Sequence, residues 1–281
     1  MTQYYPKVGI GGQATFPIQF PHVRFMYPSF ATTPVELLSR DGKREVVNHA
    51  TGFFWEGSGK LFFVTALHVL SGRDSFTDRS LSDQGYIPAE IRIFPFVQKS
   101  DLSVNRRVPL EIKLEENGAP VWRIDPDFSR LRTDIAVIDV TSMVENKDDV
   151  TAFNREPADE LFAFTGMDVC VIGYPTRYYS EPMQPIWRRG SFAAEPGLIV
   201  DGKPMFLIDA STSSGMSGSP VIQLHIGPAP VSNGSGGAVI KASSIFTIRL
   251  IGVYAGRFSH RHPAGEVGYA FYENRIPIIT A

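Results

Sequence analysis

The most informative segment of this chain is Ser213-Ser214-Gly215-Met216-Ser217-Gly218-Ser219-Pro220-Val221-Ile222. In it, Gly215 lies two residues before Ser217 and Gly218 directly after it, and Pro220 leads into an apolar strand. Gly215 can adopt a backbone conformation that a Cβ would forbid, so its amide and that of Ser217 can converge on one point. The pattern predicts an exposed nucleophilic serine beside an anion-binding loop, and an ordinary glycine-rich β-turn is the alternative for this motif alone.

Two upstream motifs supply the partners that a serine nucleophile needs. Val64-Thr65-Ala66-Leu67-His68-Val69 places a histidine at the end of an apolar strand, and Thr133-Asp134-Ile135-Ala136-Val137-Ile138 places a carboxylate at the start of another. An imidazole titrates near neutral pH and can remove the proton of Ser217, while a carboxylate fixes the imidazole tautomer. We therefore expect His68, Asp134 and Ser217 to form one hydrogen-bonded line.

Asp139, in the same segment, is a second candidate for the carboxylate. Successive side chains of a strand point to opposite faces, so Asp134 and Asp139 lie on opposite faces and at opposite ends. Asp134 is the better candidate because it lies at the mouth of the strand.

Composition limits the classes of partner. The chain has 281 residues, 43% of them hydrophobic, and a formal net charge of −2 with no cluster of basic residues. This predicts a globular domain that binds neither nucleic acid nor membrane. The single cysteine, Cys170, excludes an intramolecular disulfide and lies in an apolar run. We expect a cytoplasmic protein with Cys170 as a core residue.

Glycines and prolines, 25 and 21 in number, separate many short apolar runs. This pattern is typical of an all-β sandwich or barrel. Polar and turn residues over 141–160 divide the chain between the two upstream motifs and Ser217. We expect three parts: a packed extension over 1–35, a unit over 36–150, and a unit over 151–281 that ends in a short helix. The Gly-, Ser- and Pro-rich segment 227–244 is interpreted as a surface loop.

Together the motifs around His68, Asp134 and Ser217 resemble the three signatures of trypsin-like (chymotrypsin-fold) serine peptidases. The chain is most similar in character to the bacterial group that includes the high-temperature-requirement proteases. The resemblance extends over roughly 36–275 and includes Val171-Ile172-Gly173-Tyr174-Pro175. It implies two packed six-stranded β-barrels with the active site in the cleft between them.

The resemblance further implies a serine endopeptidase that works through an acyl-enzyme, with a backbone oxyanion hole and without a cofactor or metal. It assigns substrate binding to Ser211, Thr212, Ser213, Tyr254, Ala255 and Gly256. Two departures carry consequences. Met216 stands where digestive trypsins have the acid that receives a new N-terminus. Ser211, at the expected base of the specificity pocket, is uncharged, so we expect no preference for Lys or Arg before the scissile bond.

Other functions were weighed against this one. An α/β-hydrolase requires an acid and then a histidine after the serine, an order that does not occur here. His260 and His262 have metal-like spacing but no neighbouring Cys or Asp, and His225 is expected to be structural. A latent or inactive peptide-binding module of the same fold, gated by a regulatory partner, remains the alternative to a protease that acts on peptides or proteins.

Overall fold

Strands dominate the protein. The computed structural model describes residues 26–39, 45–82, 87–99, 105–155, 161–175, 183–235, 237–241, 246–258 and 267–281. The first half of the chain forms the strands β1 (Thr32–Leu38), β2 (Val46–Gly57), β3 (Lys60–Thr65), β4 (Glu90–Ile93), β5 (Phe96–Gln98), β6 (Asn105–Arg107), β7 (Leu110–Lys113), β8 (Glu115–Glu116), β9 (Ala119–Pro120), β10 (Arg123–Ile124) and β11 (Ala136–Asp139).

Seven of these strands make one antiparallel sheet in the order β10-β11-β3-β2-β1-β4-β7. The expected all-β architecture is confirmed, but this half is a curled sheet of seven strands rather than a closed barrel of six. The β8–β9 hairpin lies between the two edge strands, β7 and β10, in the chain, and these two strands do not pair with each other. Near them, the amide of Val121 donates to Leu114 O at 3.1 Å.

The second half forms the strands β12 (Asp168–Gly173), β13 (Ile186–Phe192), β14 (Met205–Ala210), β15 (Pro220–Ile226), β16 (Ala229–Ser232), β17 (Ala238–Lys241), β18 (Phe246–Arg257) and β19 (Gly268–Tyr272). Six of them close into a barrel in the order β12-β13-β14-β19-β18-β15. This half matches the expected six-stranded barrel. The segment interpreted as a loop contains the β16–β17 hairpin, because Val231 and Val239 pair across it.

β3 after its first residue, and residues 50–54 of β2, are buried on both faces, which explains why these segments carry no charged side chain. Phe54 and Phe63 point into the core of the first sheet. Phe53, Phe62 and Val64 point the other way, into a second core that includes residues of the closed barrel. The alternation of a strand thus supplies both the core of one half and the junction between the halves.

The described helices are short: four α-helices, α1 (Tyr27–Ala31), α2 (Leu67–Ser71), α3 (Phe128–Leu131) and α4 (Ile276–Thr280), and three 3₁₀-helices, Thr141–Met143, Lys147–Asp149 and Glu273–Arg275. Ile276 and Ile279 of α4 pack into the core between the halves. The proposed boundary after residue 35 falls inside β1, and residues 1–25 lie outside the described part. Within that part, no helix is long and apolar enough to cross a bilayer.

Candidate active site

The position of His68 follows from the way β3 ends. Ala66 keeps an extended backbone after the last strand residue, and α2 starts at the next residue. His68 is therefore in the first turn of a helix, where its backbone amide has no intrahelical acceptor. That amide donates to Asp134 Oδ1 at 2.9 Å, and His68 Nδ1 lies 2.6 Å from Asp134 Oδ2. One carboxylate holds the residue at two points.

Asp134 is buried, with 4% of its side chain exposed, and accepts three hydrogen bonds. The third comes from Ser75 Oγ at 2.6 Å. Burial alone would raise the pKa of Asp134, but the charge of His68 and these hydrogen bonds outweigh burial and lower the pKa. Asp134 is thus ionised near neutral pH. Ser75 was not anticipated from the sequence, where it is one of several polar residues in a loop.

The ionised carboxylate determines the tautomer of His68. A carboxylate can only accept, so Nδ1 must carry the proton and Nε2 is left as the acceptor. Burial by itself lowers the pKa of His68, but attraction to Asp134 and the hydrogen bond with it raise the pKa overall. His68 Nε2 is therefore chemically suited to accept a proton.

Ser217 is half-buried and lies against the start of α2. The contact is made by Gly218, where an added Cβ would come within 2.1 Å of Thr51 O and 3.0 Å of Ala66 N. Ser217 Oγ donates to Ala255 O at 3.3 Å, and among the described residues it makes no hydrogen bond with His68. The expected hydrogen-bonded line is thus present between His68 and Asp134 and is not closed at the serine.

The amide groups of an oxyanion hole must not be used in hydrogen bonds within the backbone, and this holds for the amides of Gly215 and Ser217. Within the described chain neither amide donates to a backbone acceptor. Gly215 has φ of 93°, a left-handed conformation that side chains rarely adopt. The peptide unit that joins Met216 to Ser217 is held by a hydrogen bond to its carbonyl, because Met216 O accepts from the amide of Ser219 at 3.0 Å. In a trans peptide the opposite N–H, that of Ser217, points the other way.

The proposed substrate-binding residues fall into two groups. Ser211 and Ser213 are exposed. Thr212 and Tyr254 are buried, and their hydroxyl groups lie 2.5 Å apart. The side chain of Tyr254 is thus part of the barrel core, and its backbone is bonded to the nucleophile loop: its amide donates to Ser219 O, and its carbonyl accepts from the amide of Gly218, both at 2.8 Å. The assignment of Tyr254 to substrate binding therefore stays a prediction.

No group of His, Cys, Asp and Glu in the described residues could hold a metal ion. His225 Nε2 lies 2.7 Å from Pro228 O. His260 and His262 lie outside the described residues. Burial raises the pKa of the Cys170 thiol, as expected for a thiol in a core.

Three solved structures resemble the protein, each with low sequence identity. Deg5 is 16% identical with a TM-score of 0.49, and the match covers 88% of this chain and 86% of Deg5. The inactive form of the Rv3671c protease is 17% identical with a TM-score of 0.41, over 89% and 86%. The thermostable serine protease AL20 from an extremophilic microorganism is 14% identical with a TM-score of 0.46, over 91% and 99%.

A search of curated proteins finds no match. The profile of the trypsin-like peptidase domain, in contrast, matches residues 50–227. The matched region covers well over half of the chain and contains His68, Asp134 and Ser217. With the closed barrel and the curled sheet around the site, this match confirms the chymotrypsin-like fold class. The chain belongs to the trypsin-like peptidase family.

Proposed function

We propose that the protein is a serine endopeptidase in which Ser217 is the nucleophile, His68 the general base and Asp134 the residue that orients His68. The observation that carries this proposal is the double hold of Asp134 on His68, through Nδ1 at 2.6 Å and the backbone amide at 2.9 Å. A histidine without a catalytic role would not need a buried carboxylate that fixes both its backbone amide and its ring nitrogen. A buried ionised carboxylate on Nδ1 leaves Nε2 as the proton acceptor that a serine nucleophile needs.

The reaction has two steps. Ser217 Oγ attacks the carbonyl carbon of a peptide bond while its proton moves to His68 Nε2, and the negative charge on the carbonyl oxygen is held by the amides of Gly215 and Ser217. The C–N bond then breaks, and the leaving amine takes the proton from His68. Water, deprotonated by His68, attacks the resulting ester. The bond to Ser217 Oγ then breaks, Oγ takes the proton back from His68, and the acid is released.

Ser217 must turn for the first step. In the resting structure its Oγ donates to Ala255 O over a long distance, 3.3 Å. Staggered serine rotamers differ by rotation about one bond, and a hydrogen bond of this length is weak. Turning Oγ from Ala255 O toward His68 Nε2 therefore costs little.

The substrate is a peptide or protein with an uncharged side chain before the scissile bond. The pocket residues assigned above, with Ser211 at the base, carry no negative charge. A buried Lys or Arg head without a partner is costly. The one cysteine, buried as a thiol, favours a reducing compartment such as the cytoplasm.

Peptide cleavage by the wild type and by Ser217→Ala tests the proposal. The alanine variant is expected to lose about 10⁴-fold or more in kcat and to lose labelling by a fluorophosphonate probe. Ser235→Ala is the matched control, because Ser235 is an exposed serine in the β16–β17 hairpin. Profiling with Leu and Arg peptides in the same assay is expected to favour Leu.

Unchanged cleavage by Ser217→Ala would overturn the proposal. A wild type that binds peptides without cutting them, and that the probe does not label, would favour the gated binding module instead.

A further inference from the structure

Thr51 is a fully buried residue of β2 at the junction of the two halves. β3 ends at Thr65, so the edge of β2 that faces β3 has no strand partner at Thr51. The nucleophile loop takes that place. The amide of Thr51 donates to Ser217 O at 2.9 Å, which continues the sheet of one half into the catalytic loop of the other.

The hydroxyl group of Thr51 makes a second link to the same loop. The amide of Tyr174 can only donate, and it donates to Thr51 Oγ1 at 2.9 Å. The hydroxyl proton is therefore free to go to Gly215 O, at 2.8 Å. Thr65 Oγ1 donates to Thr51 O at 2.7 Å and holds the residue from the other side. Every polar group of Thr51 is thus committed, and two of the bonds reach the nucleophile loop.

The peptide unit between Gly215 and Met216 is clamped at both ends. Its carbonyl accepts from the Thr51 hydroxyl in the first half, and its amide donates to Ser213 O at 3.2 Å in the second half. A planar trans peptide held at both ends cannot rotate. The conformation of Gly215, and with it the direction of the Gly215 amide, depends on this clamp.

The peptide unit between Ser217 and Gly218 is clamped in the same way. Ser217 O accepts from the amide of Thr51, and the amide of Gly218 donates to Tyr254 O at 2.8 Å. The unit that carries the Ser217 amide lies between the two clamped units. Thr51 therefore contacts the loop on both sides of the amides assigned to the oxyanion hole.

We propose that Thr51 is a positioning residue that sets the oxyanion hole by joining the first sheet to the carbonyl groups of Gly215 and Ser217. This rests on the proposed function. Met216 is fully buried among apolar side chains, so the loop has no acidic anchor at that position. The polar contact that holds the loop comes instead from Thr51 in the first half of the molecule. The oxyanion hole therefore forms when the two halves pack together.

The test compares three variants of the full chain in peptide cleavage. Thr51→Val keeps the shape but removes the hydroxyl, and Thr51→Ser keeps the hydroxyl. Thr33→Val is the matched control: Thr33 is also fully buried, donates to Pro34 O and accepts from the amide of Phe94, but lies in β1.

Loss of a whole oxyanion donor costs about 10²- to 10³-fold in kcat, so a loosened hole in Thr51→Val is expected to cost at least about tenfold. KM is expected to change little, because the effect is confined to the transition state. Affinity for a peptide boronic acid, which forms a tetrahedral adduct, is expected to fall in parallel with kcat. Thr51→Ser is expected to restore both, and Thr33→Val to lower only the melting temperature.

Thr51→Val that behaves like Thr33→Val would overturn the inference and leave the peptidase proposal intact. A wild type without peptide cleavage would overturn both. If Thr51→Val does not fold, Thr51→Cys carries the same expectation, because a thiol is only a weak donor; normal kcat and boronate affinity in that variant would refute the inference.

Discussion

Replacement of Asp134 by Asn removes one charge while keeping the size of a buried side chain that is 4% exposed. The structure dictates how the amide must sit. Asp134 Oδ1 accepts from the backbone amide of His68 and from Ser75 Oγ, so the amide oxygen of Asn takes this position. Its NH₂ group then faces His68 Nδ1. Nδ1 becomes the acceptor, the proton moves to Nε2, and His68 can no longer act as a base toward Ser217.

The opposite orientation of the Asn side chain does not rescue the enzyme. It would direct the NH₂ group at the backbone amide of His68, which can only donate, and leave buried donors unpaired. That costs about 1–3 kcal/mol. We therefore expect the wrong tautomer to dominate, with a loss of about 10⁴-fold in kcat. A loss of that size corresponds to about 5.4 kcal/mol in the activation barrier.

The assay is kcat/KM on a Leu peptide at pH 8, together with the rate of fluorophosphonate labelling. Asp139→Asn is the matched control, because Asp139 pairs with Lys60 at 2.7 Å on a partly exposed surface. Such a pair contributes about 1 kcal/mol or less to stability and does not touch His68. Activity of Asp134→Asn within tenfold of the wild type, or an equal loss in Asp139→Asn, would refute the assignment of Asp134.

Two further predictions follow from the charged groups. Attraction to Asp134 outweighs burial and raises the pKa of His68 above 6.5, so kcat/KM is expected to rise with pH through a midpoint above 6.5, and a midpoint below that value would contradict the pairing. Because the pKa of His68 is higher in the folded than in the unfolded state, protonation of His68 stabilises the fold fully below pH 6.5. This stabilisation is lost as the pH rises through the pKa of His68 in the folded state. Arg275→Met removes the guanidinium group that donates twice, at 2.6 Å, to the buried carboxylate of Asp125. The hydrogen bonds from Thr133 Oγ1 and the Asp127 amide remain, but the carboxylate loses its ion-pair partner, and the fold is expected to be destabilised by on the order of 3 kcal/mol. Thermal unfolding would measure this against Arg189→Met, a change at an exposed ion pair that is expected to have a much smaller effect, and equal shifts would refute the role of Arg275.

Local sequence patterns were enough to predict the all-β class and most of the strands. Short apolar runs between glycines and prolines predict an all-β protein, and most of those runs are strands in the structure. That the first half is a curled sheet and not a closed barrel could not be predicted, because closure depends on whether the edge strands β7 and β10 pair with each other. The β16–β17 hairpin was missed because its glycine-rich surroundings resemble a loop.

Three motifs and their order along the chain were enough to name His68, Asp134 and Ser217, since each motif carries its own turn and strand chemistry. The sequence alone could not name Ser75 or Thr51. Ser75 meets Asp134 across 59 residues and Thr51 meets Gly215 across 164, and neither has a motif around it. Which buried hydroxyl donates to which carbonyl depends on where β3 stops and how the two halves pack. Local motifs are enough to identify the groups that can do the chemistry. The residues that hold those groups in place are seen only in the folded chain, because their contacts join segments that are far apart in the sequence.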